Sequence, residues 1–233
     1  MRTRDARDGT GRVVPAPGEL AAIARAWARR CPLTTTYLLL LVVIAVLLTV
    51  LPNEVAAKVV SHASTNLQGL RDKPLFVLVA SAFVLSGGLA GLVWLPLLAV
   101  VMGAVERWLG RLATVLVFAL GHVGATLGLA VLLVSGIAHR AIGPEIATVH
   151  DVGVSYGLLA MAGTLTARVP ARWRARYAAT ITGFSVGAFA ITREPTEAGH
   201  ALAAMIGLAL AVVLLRAVAF AAAARSDGPS EAE

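Results

Sequence analysis

Long stretches without a charged side chain most limit what this chain can fold into. Residues 33–52 and 112–136 contain no Asp, Glu, Lys or Arg. A helix needs about 20 such residues to cross the hydrocarbon core of a bilayer, and it satisfies its own backbone hydrogen bonds there. In composition, 58% of the residues are hydrophobic and 14% are charged, whereas a soluble domain carries about 25% charged residues. We therefore predict an all-α, multi-pass membrane protein.

Residues 74–105 form the longest charge-free stretch. It is too long for one spanning helix and too short for two helices joined by a polar turn. The tripeptide Ser86-Gly87-Gly88 lies inside it, and adjacent glycines interrupt a helical pattern. We predict that 74–86 is a membrane-embedded or interfacial piece and that 89–105 is a spanning helix.

The remaining apolar runs complete a predicted bundle of six spanning helices. Their bounds are 33–52, 89–105, 112–136, 152–167, 177–192 and 197–222. Before them, 1–32 is polar and Arg-rich, with a disordered start and a short amphipathic helix from about Pro17 that lies on the cytoplasmic surface. After them, residues 223–233 end in acidic and small residues, which predicts a disordered tail. The chain is thus one membrane domain, 33–222, with two short terminal segments.

The basic residues are distributed unevenly between the two sides of this bundle. With the N-terminus inside, the inner side carries the N-terminal arginines, Arg107, Arg111, the Arg168–Arg176 cluster and Arg225. The outer side then carries Lys58, Arg71, Lys73, Arg140 and Arg193. Cytoplasmic loops are enriched in Lys and Arg, so we predict that both termini lie inside and that the arginine cluster contacts anionic lipid. The net charge of +7 therefore indicates a lipid bilayer as the partner and no nucleic acid.

Neither Cys31 nor His122 predicts a metal or cofactor site. Cys31 is the only cysteine, so it has no disulfide partner within the chain and belongs to no metal-ligand motif. His122 lies in the middle of 112–136 with no second ligand three or four residues away. Because burying a histidine in a membrane is expensive, we predict that it bonds to a neighbouring helix; a proton or metal site is the alternative. We expect no metal and no organic cofactor.

Residues 153–157, Gly-Val-Ser-Tyr-Gly, have the G-x-S-x-G form of the nucleophile turn in soluble hydrolases. That turn requires a strand before it and a helix after it, but here no strand pattern is present and the flanks are membrane spans. A soluble hydrolase is therefore excluded. Ser155 instead lies about four residues, or about 6 Å, inside the span 152–167. His200 lies at the same depth in 197–222.

Small residues in these two spans would let their helices approach closely. They recur at helical spacing as Gly153, Gly157, Ala160 and Thr164, and as Ala203, Ala204, Gly207 and Ala211 after His200. If the helices touch, His200 can take the hydroxyl proton of Ser155 as a general base. A serine alone in a membrane helix usually packs or bonds to its own backbone, and that interpretation stays open. We predict that Asp151 is the N-cap of the first of these spans.

Three motifs occur in an order and at a spacing that resemble those of one family. They are Gly103-x-x-Glu106-x-x-x-Gly110, Gly153-x-Ser155 and Gly199-His200-x-x-Ala203-x-x-x-Gly207, preceded by an embedded segment that begins at Lys73. Over roughly residues 70–215 the chain resembles the rhomboid intramembrane serine proteases, and more closely the rhomboid-like proteins of actinobacteria. The resemblance implies a six-helix rhomboid-like bundle and a transmembrane protein as substrate or client. The Ala-, Arg-, Val- and Gly-rich composition is typical of bacteria with GC-rich genomes. We therefore predict a bacterial plasma (inner) membrane as the location.

The resemblance also implies roles for individual residues. Ser155 is the expected nucleophile, its backbone N–H is an expected oxyanion donor, and His200 is the expected base. The expected structural and packing residues are Gly153, Gly157, Glu106, Gly110, Ala203 and Gly207. Among them, Glu106 is expected to be a structural cap and an anchor at the inner surface.

Three features depart from the pattern of the family. Rhomboid proteases usually carry H-x-x-x-N on span two, which helps to bind the oxyanion, but the corresponding residues here are Ala90 and Trp94. Of these two side chains, only the indole of Trp94 can donate a hydrogen bond. Tyr156 replaces the second glycine of G-x-S-G, where it crowds the site or donates its hydroxyl. Ala203 replaces the glycine that follows the histidine, which is a milder change.

These observations leave two functions open. In the first, the protein is a serine endopeptidase that cleaves transmembrane substrates through a Ser155/His200 dyad. In the second, it is a catalytically inactive rhomboid pseudoprotease that binds transmembrane client proteins. The retained pair favours the first function, and the replacements at Ala90 and Trp94 favour the second. A small transporter is disfavoured because no inverted repeat is visible.

Overall fold

The computed structural model of the protein describes residues 6–7, 13–14, 17–85 and 87–226. Within these ranges β1 (Ala6–Arg7) and β2 (Val13–Val14) form a short antiparallel pair, and the rest of the regular structure is helical. Most of the predicted disordered start lies outside the described residues. So do residues 227–233 of the predicted tail.

Ten α-helices follow along the described part of the chain. They are α1 (Pro17–Arg30), α2 (Pro32–Val50), α3 (Asn53–Ala63), α4 (Leu67–Asp72), α5 (Pro74–Ala80), α6 (Leu95–Leu109), α7 (Arg111–Ala138), α8 (Ser155–Thr164), α9 (Ala171–Thr192) and α10 (Pro195–Ser226). Short 3-10 helices lie at Ser81–Phe83, Gly88–Trp94, Pro144–Thr148 and Leu165–Arg168. Helices α1, α2, α5 and α10 each begin at a proline, because proline lacks an N–H that the first turn of a helix leaves unpaired anyway.

Four helical segments of the described chain are long and apolar enough to cross a membrane. They are Pro32–Val50, Gly88–Leu109, Arg111–Ala138 and Pro195–Arg225. Many of their leucine and valine side chains are exposed, as expected for helix surfaces that face lipid and not water. The prediction of a helical, multi-pass membrane protein therefore holds at this level.

The helices at the predicted fourth and fifth spans, α8 and α9, are not among these four. The ten residues of α8 rise about 15 Å, which is half of the ~30 Å hydrocarbon core. Helix α9 begins at Ala171, inside the arginine cluster. The six-span count with both termini inside therefore stays a prediction. Helix α10 continues to Ser226, which lies within the segment predicted to be a disordered tail.

The predicted interruption of the long charge-free stretch is present. Gly87 and Gly88 have φ angles of +78° and +59°, a region that glycine adopts without strain. Before them lie α5 and the 3-10 helix Ser81–Phe83, in which Val77 and Ser81 are buried. Helix α5 packs against α3 and α7, and the 3-10 helix packs against α2. This apolar piece therefore lies against the bundle and forms no spanning helix of its own.

Helix α8 lies at the centre of the bundle. It packs against α6, α7, α9 and α10, and most of its residues are buried. A helix that is surrounded by protein needs no lipid-facing surface. It can therefore be much shorter than the bilayer is thick, and its first residue can lie below the membrane surface.

Two small residues of the stripe predicted on the fourth span, Gly157 and Ala160, pack against α7. Gly153 precedes α8 and has a φ of +132°. Gly157 faces α7, where a Cβ on this glycine would collide with the ring of Phe118. Ala160 faces α7 as well, where a Cβ on Gly121 would collide with its side chain, and only its backbone lies against α10. Gly157 and Ala160 therefore share one face, as predicted, and that face packs on α7.

Glu106, near the end of α6, holds the beginning of α2. Its carboxylate accepts hydrogen bonds from the backbone N–H groups of Leu33 (3.0 Å) and Thr34 (2.8 Å) and from the Thr34 hydroxyl (2.6 Å). These N–H groups belong to the first turn of α2, which offers them no acceptor of its own. Gly110, with a φ of +84°, lets the chain turn directly from α6 into α7. The Glu106 carboxylate thus caps a helix that is distant from it in sequence.

We expect Glu106→Ala to lower the free energy of unfolding by about 2–4 kcal/mol, because it leaves buried N–H groups of α2 without an acceptor. Unfolding of the purified variants in mixed micelles of a mild detergent and SDS measures the loss. Glu54→Ala removes an exposed carboxylate and is the matched control, for which little change is expected. Equal stability of the two variants would show that the cap contributes nothing.

The distribution of arginines predicts both termini and the arginine cluster 168–176 on the cytoplasmic side, and the loop that contains Arg140 on the opposite side. A fluorescent protein fused to the C-terminus should therefore fluoresce in a bacterial host. Alkaline phosphatase inserted beside Arg140 should be active, because this enzyme folds only outside the cytoplasm. Phosphatase activity of an insertion at 168–176 would contradict the six-span arrangement.

Candidate active site

Ser155 and His200 lie within hydrogen-bonding distance of each other. Ser155 is the first residue of α8, and His200 lies in the second turn of α10. The Oγ atom of Ser155 is 2.9 Å from Nε2 of His200. The structure therefore brings together the two side chains that were singled out for their matching depth.

The backbones of α8 and α10 come into close contact beyond this pair. A Cβ on Gly207 would collide with the backbone of Ala160, and a Cβ on Gly163 would lie 2.9 Å from the carbonyl oxygen of Ala204. The hydroxyl of Thr164 donates to the Ala160 carbonyl of its own helix at 2.9 Å and lies 3.4 Å from the Gly207 carbonyl oxygen. Small residues thus set the separation between the two helices. That separation determines whether a serine on one can reach a histidine on the other.

A third side chain, Glu197, bonds the other nitrogen of the same imidazole. Oε2 of Glu197 is 2.9 Å from Nδ1 of His200. A carboxylate can only accept a hydrogen bond, so in the neutral imidazole Nδ1 carries the hydrogen and Nε2 keeps a lone pair for the proton of Ser155. Glu197 was not among the residues predicted from the sequence. The available signal was its position three residues before His200, which places both on one face of a helix.

Tyr156 covers one side of the imidazole. Its ring meets the His200 ring edge-on, with the centroids 5.4 Å apart, and a Cβ on Gly199 would collide with the Tyr156 ring. Its hydroxyl donates to Oδ2 of Asp151 at 2.9 Å. Ala203, which stands where the family has glycine, is fully buried in the same cluster. Tyr156 therefore packs against the imidazole, and its hydroxyl bonds Asp151 and neither Ser155 nor His200.

Asp151 does not cap α8, and the prediction that it would is wrong. Helix α8 begins at Ser155, and no side chain caps it. The Asp151 carboxylate is instead occupied by Tyr156 and by Thr65, whose hydroxyl lies 3.3 Å from Oδ2 and 2.9 Å from the Asp151 carbonyl oxygen. Burial raises the pKa of the Asp151 carboxyl, and the hydrogen bonds from Tyr156 and Thr65 lower it in part. Asp151 thereby ties the loop before α8 to the loop between α3 and α4.

The start of α8 presents backbone donors beside Ser155. The N–H of Leu158 donates to the carbonyl of Val154, and the N–H groups before it have no acceptor within the helix. The positive end of the helix dipole lies at the same place. Trp94 is 58% exposed and its 3-10 helix packs on α2 and α6, so its role as an oxyanion donor stays a prediction. Ala90 is exposed as well.

His122 takes part in a second contact between a histidine and a serine. Its Nε2 lies 3.0 Å from Oγ of Ser81 and 3.1 Å from the carbonyl oxygen of Leu78, so the predicted bond to a neighbouring helical segment is confirmed. The ring also stacks on Phe118, with centroids 5.9 Å apart. The sequence indicated no partner for Ser81, whose carbonyl also accepts the N–H of Gly153 at 3.1 Å. These contacts hold the embedded segment beside the loop that leads into α8.

The described part of the chain holds no group of three or more His, Cys, Asp or Glu side chains that could bind a metal ion. Cys31 is buried at the junction of α2 and α6, with Sγ 3.7 Å from the carbonyl oxygen of Gly103. His150, next to Asp151, is exposed. Neither residue belongs to the hydrogen-bonded group around His200.

We expect Gly199→Ala to destabilise the protein by about 1–3 kcal/mol, because the new methyl group must displace the ring of Tyr156. Gly187→Ala is the matched control: this glycine is also helical, and no atom lies within 4 Å of a Cβ placed there. That variant should gain up to about 1 kcal/mol from its higher helix propensity. Unfolding in detergent measures both changes, and equal behaviour of the two variants would disprove the close contact.

Comparison with known proteins places this geometry in a family. Residues 26–219 match a family described as rhomboid-like proteins. This match covers most of the chain, including α2 to α9 and the part of α10 that carries His200. No curated protein and no solved structure matches the chain. Because the family match takes in every helix of the site and most of the sequence, the chain belongs to the rhomboid-like protein family.

Proposed function

We propose that the protein is an intramembrane serine endopeptidase that cleaves transmembrane protein substrates in a bacterial plasma membrane. The observation that carries the proposal is the 2.9 Å separation between Oγ of Ser155 and Nε2 of His200. The pair lies at the start of α8, in a multi-pass membrane protein of the rhomboid-like family. Both side chains are partly exposed, so a substrate backbone can approach them.

In this proposal His200 acts first as a general base. As Oγ of Ser155 bonds to the scissile carbonyl carbon, its proton passes to Nε2 and the carbonyl oxygen takes up the electron pair of the double bond. The C–N bond then breaks, the amine leaves with the proton from His200, and the acyl group stays on Ser155 as an ester. Water that gives a proton to His200 hydrolyses this ester, and the serine is restored.

The negative oxygen formed in the first step requires hydrogen-bond donors. The backbone N–H of Ser155 is one, because it lies at the N-terminus of α8, where the helix dipole favours negative charge. The side-chain donors usual in rhomboid proteases are replaced by Ala90 and Trp94. The loss of one oxyanion donor costs about 3–4 kcal/mol of transition-state stabilisation. We therefore expect slower turnover than in a rhomboid protease that keeps these donors.

The same replacements support a second candidate, a rhomboid pseudoprotease that binds transmembrane client proteins without cutting them. Ala90 and Trp94 are both exposed, and the side chain of Ala90 has no donor for an oxyanion. In such a protein the hydrogen bond between Ser155 and His200 would be a packing contact that joins α8 to α10.

Ser155→Ala and His200→Ala should each reduce cleavage of a generic single-span substrate by about a thousandfold or more, because they remove the nucleophile or its base. The assay follows the cleaved product over time with protein reconstituted in vesicles. Ser185→Ala is the matched control. Ser185 is a buried serine on α9 whose hydroxyl has no partner in the described chain, so its variant should cut like the wild type.

A fluorophosphonate probe tests the nucleophile without a substrate. The wild type and Ser185→Ala should be labelled, whereas Ser155→Ala should not. A wild type that neither cuts nor is labelled at Ser155, yet retains a transmembrane client through purification, would establish the pseudoprotease function instead.

A further inference from the structure

Glu197 bonds the nitrogen of His200 that Ser155 does not reach, and a mechanism of Ser155 and His200 alone makes no use of it. Its Oε2 is 2.9 Å from Nδ1, while Oγ of Ser155 is 2.9 Å from Nε2. We propose that Glu197 is a positioning residue that completes a Ser155–His200–Glu197 triad. The inference rests on the proposed function, because a triad has a catalytic meaning only if Ser155 is a nucleophile.

The simpler explanation is that Glu197 serves only the start of α10. An acidic side chain near a helix N-terminus interacts favourably with the helix dipole, and Glu197 stands in the first turn. Glu194, directly before the helix, carries a second carboxylate at the same end and is exposed. In the described chain only the carboxylate of Glu197 bonds the imidazole. The dipole explains an acid at this end of the helix but does not explain its bond to Nδ1.

The surroundings of the ring support a positioning role. Glu197 contacts the imidazole at Nδ1, Ser155 contacts it at Nε2, and the Tyr156 ring lies edge-on to it at an interplanar angle of 80°. A histidine without a partner at Nδ1 could rotate and present either nitrogen to the serine. Because a carboxylate accepts a hydrogen bond only from an N–H, Glu197 selects both the orientation of the ring and the nitrogen that carries the hydrogen.

Glu197 also places a negative charge beside the His200 imidazole, which becomes positively charged in the proposed mechanism. When His200 takes the proton of Ser155, it becomes a cation near the positive end of the α10 dipole, which disfavours it. The carboxylate at Nδ1 offsets that cost. The side chains of His200 and Glu197 are 17% and 25% exposed, so water screens their attraction only in part. An interaction that strengthens as the charge develops acts on the transition state more than on substrate binding.

The position of the hydrogen on His200 tests the inference without a substrate. Protein with 15N-labelled histidine is studied by NMR in detergent micelles at about pH 9, where an ordinary imidazole is neutral. The spectrum of His200→Ala identifies the His200 signals. The wild type should show the hydrogen on Nδ1, and Glu197→Ala should lose this preference. Glu194→Ala is the matched control and should give the wild-type spectrum.

Steady-state kinetics then separate positioning from substrate binding. Glu197→Ala should lower kcat for the single-span substrate about 10- to 100-fold and leave KM within about twofold, because Glu197 contacts the imidazole and not the substrate. Glu197→Asp keeps the carboxylate on a shorter side chain and should recover part of kcat. Glu194→Ala should change neither constant. Thermal unfolding of each variant in detergent distinguishes lost catalysis from a lost fold.

The inference is overturned if the Nδ1 hydrogen stays in place in Glu197→Ala, or if that variant keeps the wild-type kcat while Ser155→Ala is inactive. If Glu197→Ala does not fold, Glu197→Leu, which is of similar size and has no hydrogen-bond acceptor, takes its place, and an unchanged kcat again overturns the inference. A wild type that neither cuts nor is labelled overturns the proposed function instead. In that case the nitrogen signals still decide whether Glu197 positions His200.

Discussion

The close contact between α8 and α10 is the constraint on which the rest of the structure depends. Neither Gly207 nor Gly163 has room for a Cβ, and the backbone of one helix lies directly against the backbone of the other. Helices in lipid gain little from hydrophobic association and rely on close packing and hydrogen bonds. The same contact sets how far Ser155 lies from His200. A larger side chain at Gly207 would separate the helices and would separate these two side chains with them.

The enclosure of α8 among four helices allows polar groups to lie at its start. Polar groups are costly in an apolar medium unless they are paired, and here the protein provides the partners. Tyr156 bonds Asp151, and Ser155 and Glu197 bond the two nitrogens of one imidazole. The Glu106 carboxylate likewise provides hydrogen-bond acceptors for the backbone N–H groups in the first turn of α2. The proposed chemistry thus uses a hydrogen-bonded group that the bundle holds in place.

Features that depend on neighbouring residues in the chain were predictable from the sequence. The break at Gly87 and Gly88 follows from glycine chemistry, which is local. The equal depth of Ser155 and His200 was also predictable, because depth is a property of each span alone, but their meeting depended on whether the two helices touch. The neighbours of individual side chains were not. The role of Asp151 was mispredicted, and Glu197 was missed, because helical periodicity shows which residues share a face but not what that face meets.

The sequence by itself determined that this protein is helical and crosses a membrane, because the lengths of the apolar stretches and the positions of the arginines do not depend on how the helices pack. It also determined family membership, through motifs whose order and spacing survive without a structure. Only the tertiary structure decided which nitrogen of His200 meets Ser155, that Glu197 takes the other, and that Gly157 faces α7 while Gly207 faces α8. The physical reason is that these contacts depend on the rotation of each helix about its own axis. That rotation is set jointly by all the helices that pack together.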